Sequence, residues 1–393
     1  MPDGSATLEL SRGSWDAEAL DAFGLSSLAE PAPADDGVPL ARLGRGATVN
    51  PQARFERHGT VPVGDGWEFL GGTLPDLPPL PTVLVRDASR TAISWNDSPD
   101  LGFDRAVNPY RGCEHGCVYC YARPSHAYLG YSPGLEFETQ IVFKPDVAAV
   151  LERELSKPGY KPRTMALGSN TDPYQPADRS LRLTRSVLEV LERYSHPVSI
   201  VTKSAGVVRD LDILTRMAKR GLVRVWLSVT TLDAGLARRM EPRAATPALR
   251  LQTIGALAEA GVPAGVLAAP MIPGLNDMEL ETVLRAGRSH GATHAGYVLL
   301  RLPHELRDIF TDWLHEHVPD RASRILSLIR ATRAGDLNDS QFGKRFVGGG
   351  PYAAMLGQRF KRIQRDLGYA GRDTLDVSQF RPPARTGAQL SLL

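Results

Sequence analysis

From Thr164 onward, short apolar runs alternate with amphipathic stretches. The runs at 164–168, 197–202, 223–229, 262–271 and 294–300 are apolar almost throughout, as expected of strands covered on both faces. Between them, Leu183–Tyr194 sets Leu183, Val187, Leu188 and Leu191 at helical spacing. Val208–Arg220 does the same with Leu211, Leu214 and Met217 and stops at Gly221. Thr246-Pro247, an N-cap followed by a proline at the first helical position, opens a helix through Ala260 that Gly261 ends. Asp277–His290 forms a fourth, ended by Gly291. This β-then-α beat of about 30 residues predicts parallel strands joined by crossover helices. With one further strand before residue 110, the count reaches six units. The predicted fold class is therefore α/β, a partial (β/α)6 TIM barrel, with active groups at the C-terminal ends of the strands.

The pattern is different on both flanks. Residues 1–80 are rich in proline, glycine and acidic residues (Glu30-Pro-Ala-Pro-Ala-Asp-Asp-Gly37) and read as a largely irregular extension. Roughly the first 40 are expected to be disordered. Ala41–Ala47 and Asn50–Glu56 read as a basic arm packed along a domain edge. The barrel core is placed at 81–305, and 306–393 is read as a helical, basic extension. There, Trp313–Arg333 has helical periodicity interrupted by Pro319. From Gln341 to Asp373, seven basic residues stand against two acidic ones. That stretch suits a solvated helix face capping the open barrel edge, with contact to nucleic-acid phosphates as the other reading.

Composition adds mainly exclusions. A net charge of +2 on 393 residues creates no global field that calls for a nucleic acid or membrane partner. No apolar run of about 18 residues is present to span a bilayer. The first residues lack the basic and apolar regions of a secretory signal. A cytoplasmic location is expected, because all three cysteines are clustered and none has a partner elsewhere.

Those cysteines, Cys113, Cys117 and Cys120, fall within Arg111-Gly-Cys-Glu-His-Gly-Cys-Val-Tyr-Cys120, spaced C-x3-C-x2-C. Soft thiolates select zinc, copper(I) or iron–sulfur clusters. With His115 as a fourth ligand the loop makes a zinc knuckle, which could serve a nucleic-acid-binding protein without radical chemistry. As three ligands of a [4Fe-4S] cluster, the thiolates leave one iron open to a small molecule. The loop follows the first strand and so lies on the catalytic face of the expected barrel.

The cysteine loop, Ser94-Trp-Asn-Asp-Ser-Pro99, Asn108-Pro-Tyr-Arg-Gly-Cys113, Tyr119-Cys-Tyr-Ala-Arg123, Gly168-Ser-Asn-Thr-Asp-Pro173 and Pro270-Met-Ile-Pro-Gly-Leu-Asn276 together resemble the radical S-adenosylmethionine (SAM) superfamily. More closely they resemble its spore photoproduct lyase-related branch, many of whose members have no assigned substrate. The resemblance implies an enzyme in which Cys113, Cys117 and Cys120 hold a [4Fe-4S] cluster. Reductive cleavage of SAM there would yield a 5′-deoxyadenosyl radical that acts on an unknown substrate. It places Tyr119 against the adenine and brings Gly168, Ser169 and Asn170, with Thr171 and Asp172, to the methionyl amino group. Lys203 and Ser228 go to the carboxylate or ribose, Arg243 is a second carboxylate candidate, and Met271 and Leu299 touch the adenine. An external electron donor of the flavodoxin or ferredoxin type is implied, and nucleic acid is a candidate substrate. The lyases' extra cysteine hydrogen donor has no counterpart here. Tyr119, Tyr121, Tyr174, Tyr297 or deoxyadenosine itself would have to supply the hydrogen atom.

Overall fold

The structure is a computed structural model that describes residues 44–55, 80–371 and 374–383. The expected disorder of the first 40 residues lies outside the described residues. Strands β1 (Val83–Arg86), β2 (Ile93–Trp95), β3 (Arg105–Val107), β4 (Tyr110–Arg111), β5 (Gln140–Phe143), β6 (Met165–Leu167), β7 (Val198–Thr202), β8 (Val223–Ser228), β9 (Ala264–Met271) and β10 (His294–Leu299) form two sheets. The larger runs β10-β9-β8-β7-β6-β3-β2. Its six strands from β3 to β10 are parallel throughout, and β2 lies antiparallel on β3, Ile93 facing Val107. This is the wall of a partial barrel, open at both edges. The smaller sheet is β1-β5-β4, with β1 parallel and β4 antiparallel to β5.

Strands β6 to β10 stand where the apolar runs predicted, because a parallel strand covered on both faces needs a mostly apolar text; β5, which also follows the cysteine loop, was not predicted. Met165, Val198, Ile200, Val225, Leu227 and Val266 are fully buried, and the helices lay Leu188, Leu191, Leu214, Met217, Ile254 and Val283 over them. Each such side chain contributes about 1.5–3 kcal/mol by leaving water. The helix after β8 begins at Pro247, and the Thr246 hydroxyl accepts the Leu249 N–H at 3.3 Å.

Two stretches differ from the expectation. Val208–Arg220 opens as a 3-10 turn, Ala205–Asp210, before the helix Leu211–Ala218; Ser204 caps that turn by accepting the Gly206 N–H. Trp313–Arg333 is two helices, Leu306–His317 and Pro319–Thr332, because Pro319 starts the second at its first helical position. As expected of a helix face capping the open barrel edge, the basic stretch contains a helix, Gly350–Asp366, laid against β10. Arg359 pairs with Glu281 there, Tyr352 donates to Asp277 at 2.6 Å, and Phe360 packs on Tyr297.

Candidate active site

The cysteine loop leaves β4 and is held by its backbone. Cys113 N–H donates to the Phe137 carbonyl at 2.9 Å and Val118 N–H to the Met240 carbonyl at 3.0 Å. Glu114 N–H donates to Gln175 at 2.9 Å, while Gln175 donates back to the Gly112 carbonyl at 3.2 Å. Beneath the loop, Arg123 is fully buried. Its guanidinium donates to the carbonyls of Gly116, Cys117, Pro133 and Gly134 and is paired with buried Glu138.

The three thiols form no disulfide. Cys113 and Cys117 are 7% and 8% exposed, and Cys120 is half-buried. Burial pushes the Cys113 thiol up, helped by Asp172 and by the other two cysteines; burial also pushes up Cys117, which Lys203 opposes. Bare thiolates are therefore disfavoured, and a cationic metal centre would reverse that by taking their charge. Among the described residues no three His, Cys, Asp or Glu side chains stand close enough to hold a single metal ion. A cubane, in which each thiolate meets a different iron, spreads its ligands wider. Three thiols on one loop are a donor set of the kind such a cluster uses. His115, the fourth ligand of the zinc reading, turns its Nδ1 to Asp172 at 3.3 Å.

The strand ends converge around this loop. After β6, Asn108 donates to the Ser169 hydroxyl at 3.3 Å and accepts the Asn170 N–H at 3.1 Å, and Thr171 donates to the Tyr110 carbonyl at 2.9 Å. The Asp172 carboxylate accepts from the Tyr174 and Lys203 N–H groups and the Thr202 hydroxyl at 2.7–2.9 Å. Burial alone would raise that carboxyl, but His115 and these donors bring it down to about 2. Lys203 holds its ammonium 5.7 Å from the centre of the Tyr119 ring. The Tyr119 hydroxyl meets Thr230 at 3.0 Å and donates to buried Glu241. Glu241 is paired with buried Arg250, and burial raises its carboxyl against that arginine's pull. Buried Ser228 donates to the Ala269 carbonyl at 3.0 Å. Met271 and Leu299 are both fully buried; the Leu299 N–H donates to Phe346 and its carbonyl accepts from Arg333. Arg243 pairs with Glu114 at 3.0 Å.

The tyrosines separate. Tyr121, 47% exposed, follows Cys120 and donates to the Ser169 carbonyl. Arg301, at the end of β10, stacks between Tyr121 at 5.2 Å and Phe346 at 5.7 Å; Arg345 then stacks between Phe346 and Phe342 while pairing with Asp100. Buried Tyr174 donates to Asp210 at 3.0 Å, and Tyr297 faces the C-terminal helix. Tyr121 is the candidate beside the loop.

Sequence reasoning missed Glu114, Asn108, Glu241 and the Arg123–Glu138 pair. Asn108, Glu114 and Arg123 stood within quoted motifs, whereas Glu138 carries no local signal.

Residues 107–286 match the profile of the Radical SAM superfamily. An uncharacterized protein of Mycobacterium tuberculosis is 40% identical over 232 residues, covering 58% of this chain and 68% of its own length. One of Methanocaldococcus jannaschii is 26% identical over 178 residues, covering 45% and 64%. A spore photoproduct lyase variant with bound AdoMet and dinucleoside spore photoproduct is similar in fold, with a TM-score of 0.53 at 17% identity over 72% of this chain and 79% of that one. A second variant of the lyase gives 0.52 at 19% identity over the same shares. The chain is an enzyme and belongs to the radical SAM superfamily.

Proposed function

We propose that Cys113, Cys117 and Cys120 ligate a [4Fe-4S] cluster and that SAM binds at its open iron, across the C-terminal ends of the parallel strands. The superfamily implies both cofactors. Three reduced thiols, two of them buried, on a loop rigidly hung at that face carry the reading. When bound, the pair supplies one-electron cleavage of SAM to methionine and a 5′-deoxyadenosyl radical. Tyr119 forms an adenine wall held upright by Thr230 and Glu241. Lys203 offers the nearby positive charge for the methionyl carboxylate. Gly168, Ser169 and Asn170 offer backbone and hydroxyl groups to the amino group. Asp172, Ser228 and Arg243 already have protein partners, so they orient the strand ends as well as edging the pocket. Met271 and Leu299 keep its floor dry.

Superfamily enzymes draw an electron from an external donor, here of the flavodoxin or ferredoxin type. The substrate enters past Tyr121, Arg301 and Phe346. A guanidinium between aromatic side chains suits a ligand that combines planar rings with negative charge, and a nucleic acid offers neutral planar bases and anionic phosphates. Tyr121 is the proposed hydrogen-atom donor. The reduced thiols suit a cytoplasmic setting.

Anaerobic reconstitution followed by metal analysis tests the cofactor reading. We expect about four irons per chain, and 5′-deoxyadenosine on adding SAM and dithionite. One zinc per chain and no iron uptake would end it. Oligonucleotides added to the same assay are expected to raise 5′-deoxyadenosine formation; an unchanged rate rejects them as substrates.

A further inference from the structure

The segment 44–49 lies outside the profile match at 107–286 yet sits on the cysteine loop. Gly46 is packed so tightly that a Cβ there would lie 1.7 Å from the Gly116 carbonyl oxygen. Ala47, 1% exposed, shares an apolar cluster with Cys117, Val118 and Tyr119. One carboxylate pins the segment, since the two Glu138 oxygens accept the N–H groups of Gly46 at 2.9 Å and Ala47 at 2.8 Å. The same carboxylate pairs with Arg123, whose guanidinium holds the carbonyls of Gly116 and Cys117. Arg45 closes the ring by donating to the Glu138 backbone carbonyl at 2.8 Å.

We propose that the Gly44–Val49 arm is the outer wall of the cluster site and that Arg123 and Glu138 are positioning residues clamping the arm and the cysteine loop into one unit. The argument rests on the three-cysteine ligation above. Both charges are fully buried, and a buried pair survives only when its remaining hydrogen-bonding capacity is met. Here the arm's amides and the loop's carbonyls meet it. Removing either partner frees the arm and the Cys113–Cys117 turn together. The clamp governs access to the cluster and its retention, and it takes no part in the reaction.

The test uses the full chain reconstituted anaerobically and follows two quantities. Hydrogen exchange at the Gly46 and Ala47 amides reads the arm, and the rate of iron release to a colorimetric chelator reads the wall. For Glu138→Gln and Arg123→Met we expect fast amide exchange and iron release about tenfold faster than wild type, the scale of lost support around metal ligands. Arg123→Lys should recover little, because an ammonium lacks the flat fork that reaches several carbonyls. Gly46→Val wedges the arm and the Gly116 carbonyl apart while keeping both members of the buried pair; it should reproduce the faster release, and it decides the matter if the buried-pair variants fail to fold. Fast exchange with wild-type iron release overturns the wall, and wild-type exchange in Glu138→Gln overturns the clamp. No iron uptake by the wild type defeats the three-cysteine reading itself and this proposal with it. Normal uptake with unaltered release defeats the proposal alone.

Discussion

At the scale of single residues, the site depends on backbone positions that tolerate no substituent and on charges that tolerate no loss of partner. Gly168 closes β6 at φ +88°, and a Cβ there would fall 2.2 Å from the Val201 carbonyl oxygen. Gly168→Ala should therefore lower stability by about 2 kcal/mol or more, read as a drop in the thermal midpoint. Glu241→Ala leaves Arg250 buried without its carboxylate and should cost about 3–5 kcal/mol, checked by urea unfolding. His196 is fully buried, with Tyr160 on Nε2 at 2.8 Å and the Pro197 carbonyl on Nδ1 at 3.0 Å. Burial, aided slightly by Arg105, lowers its pKa to about 4. Below the ordinary histidine value the unfolded chain takes up the proton and the folded chain does not. The contribution is thus complete above about pH 6.5 and lost as pH falls toward 4, amounting to about 3 kcal/mol. Unfolding measured across that range should show the slope, and His196→Leu should remove its share.

At the scale of elements, caps and seams decide what a mutation costs. Thr246→Ala should destabilise by about 1 kcal/mol through loss of the cap on the helix Pro247–Glu259, seen as a small shift in the urea midpoint. The same elements show what was legible beforehand. The strands at 165–167, 198–202, 223–228, 264–271 and 294–299 announced themselves because strands covered on both faces are mostly apolar. β3 did not. Its Arg105 is buried by stacking between Trp95 and Tyr160 and by pairing with Asp104, so a charged residue occupies a strand position. The helix at 350–366 was legible as a basic helix face, though its start at Gly350-Pro351 was not. The gathering of the cysteines on one loop was legible in the sequence, whereas the Arg123–Glu138–Gly46 ring was not. Its members are joined by contacts 15 and 92 residues apart that no local period encodes.

At the scale of the whole molecule, the parallel sheet stays open and other parts cover its edges. β2 lies along β3, and the helix Gly350–Asp366 packs at β10 with Leu356 fully buried. Leu356→Ala should cost about 2–5 kcal/mol, the range for a truncated core leucine, while leaving iron content per folded chain unchanged. Calorimetry with iron analysis separates the two effects. The loop at Phe346 reaches the same edge by accepting the Leu299 N–H at 2.8 Å. Two segments far apart in the chain thus border the site, the arm at 44–49 on the cysteine loop and the 342–346 segment beside Arg301.

Confinement of every thiol to one loop also gives the protein an internal gauge. With cysteine at 113, 117 and 120 and nowhere else, a maleimide adduct counted by intact-mass spectrometry can report on that loop alone. Chain denatured after complete metal removal should take three adducts. A brief maleimide pulse on native chain carrying the proposed cluster should add none, whereas folded chain without it should add one, at half-buried Cys120.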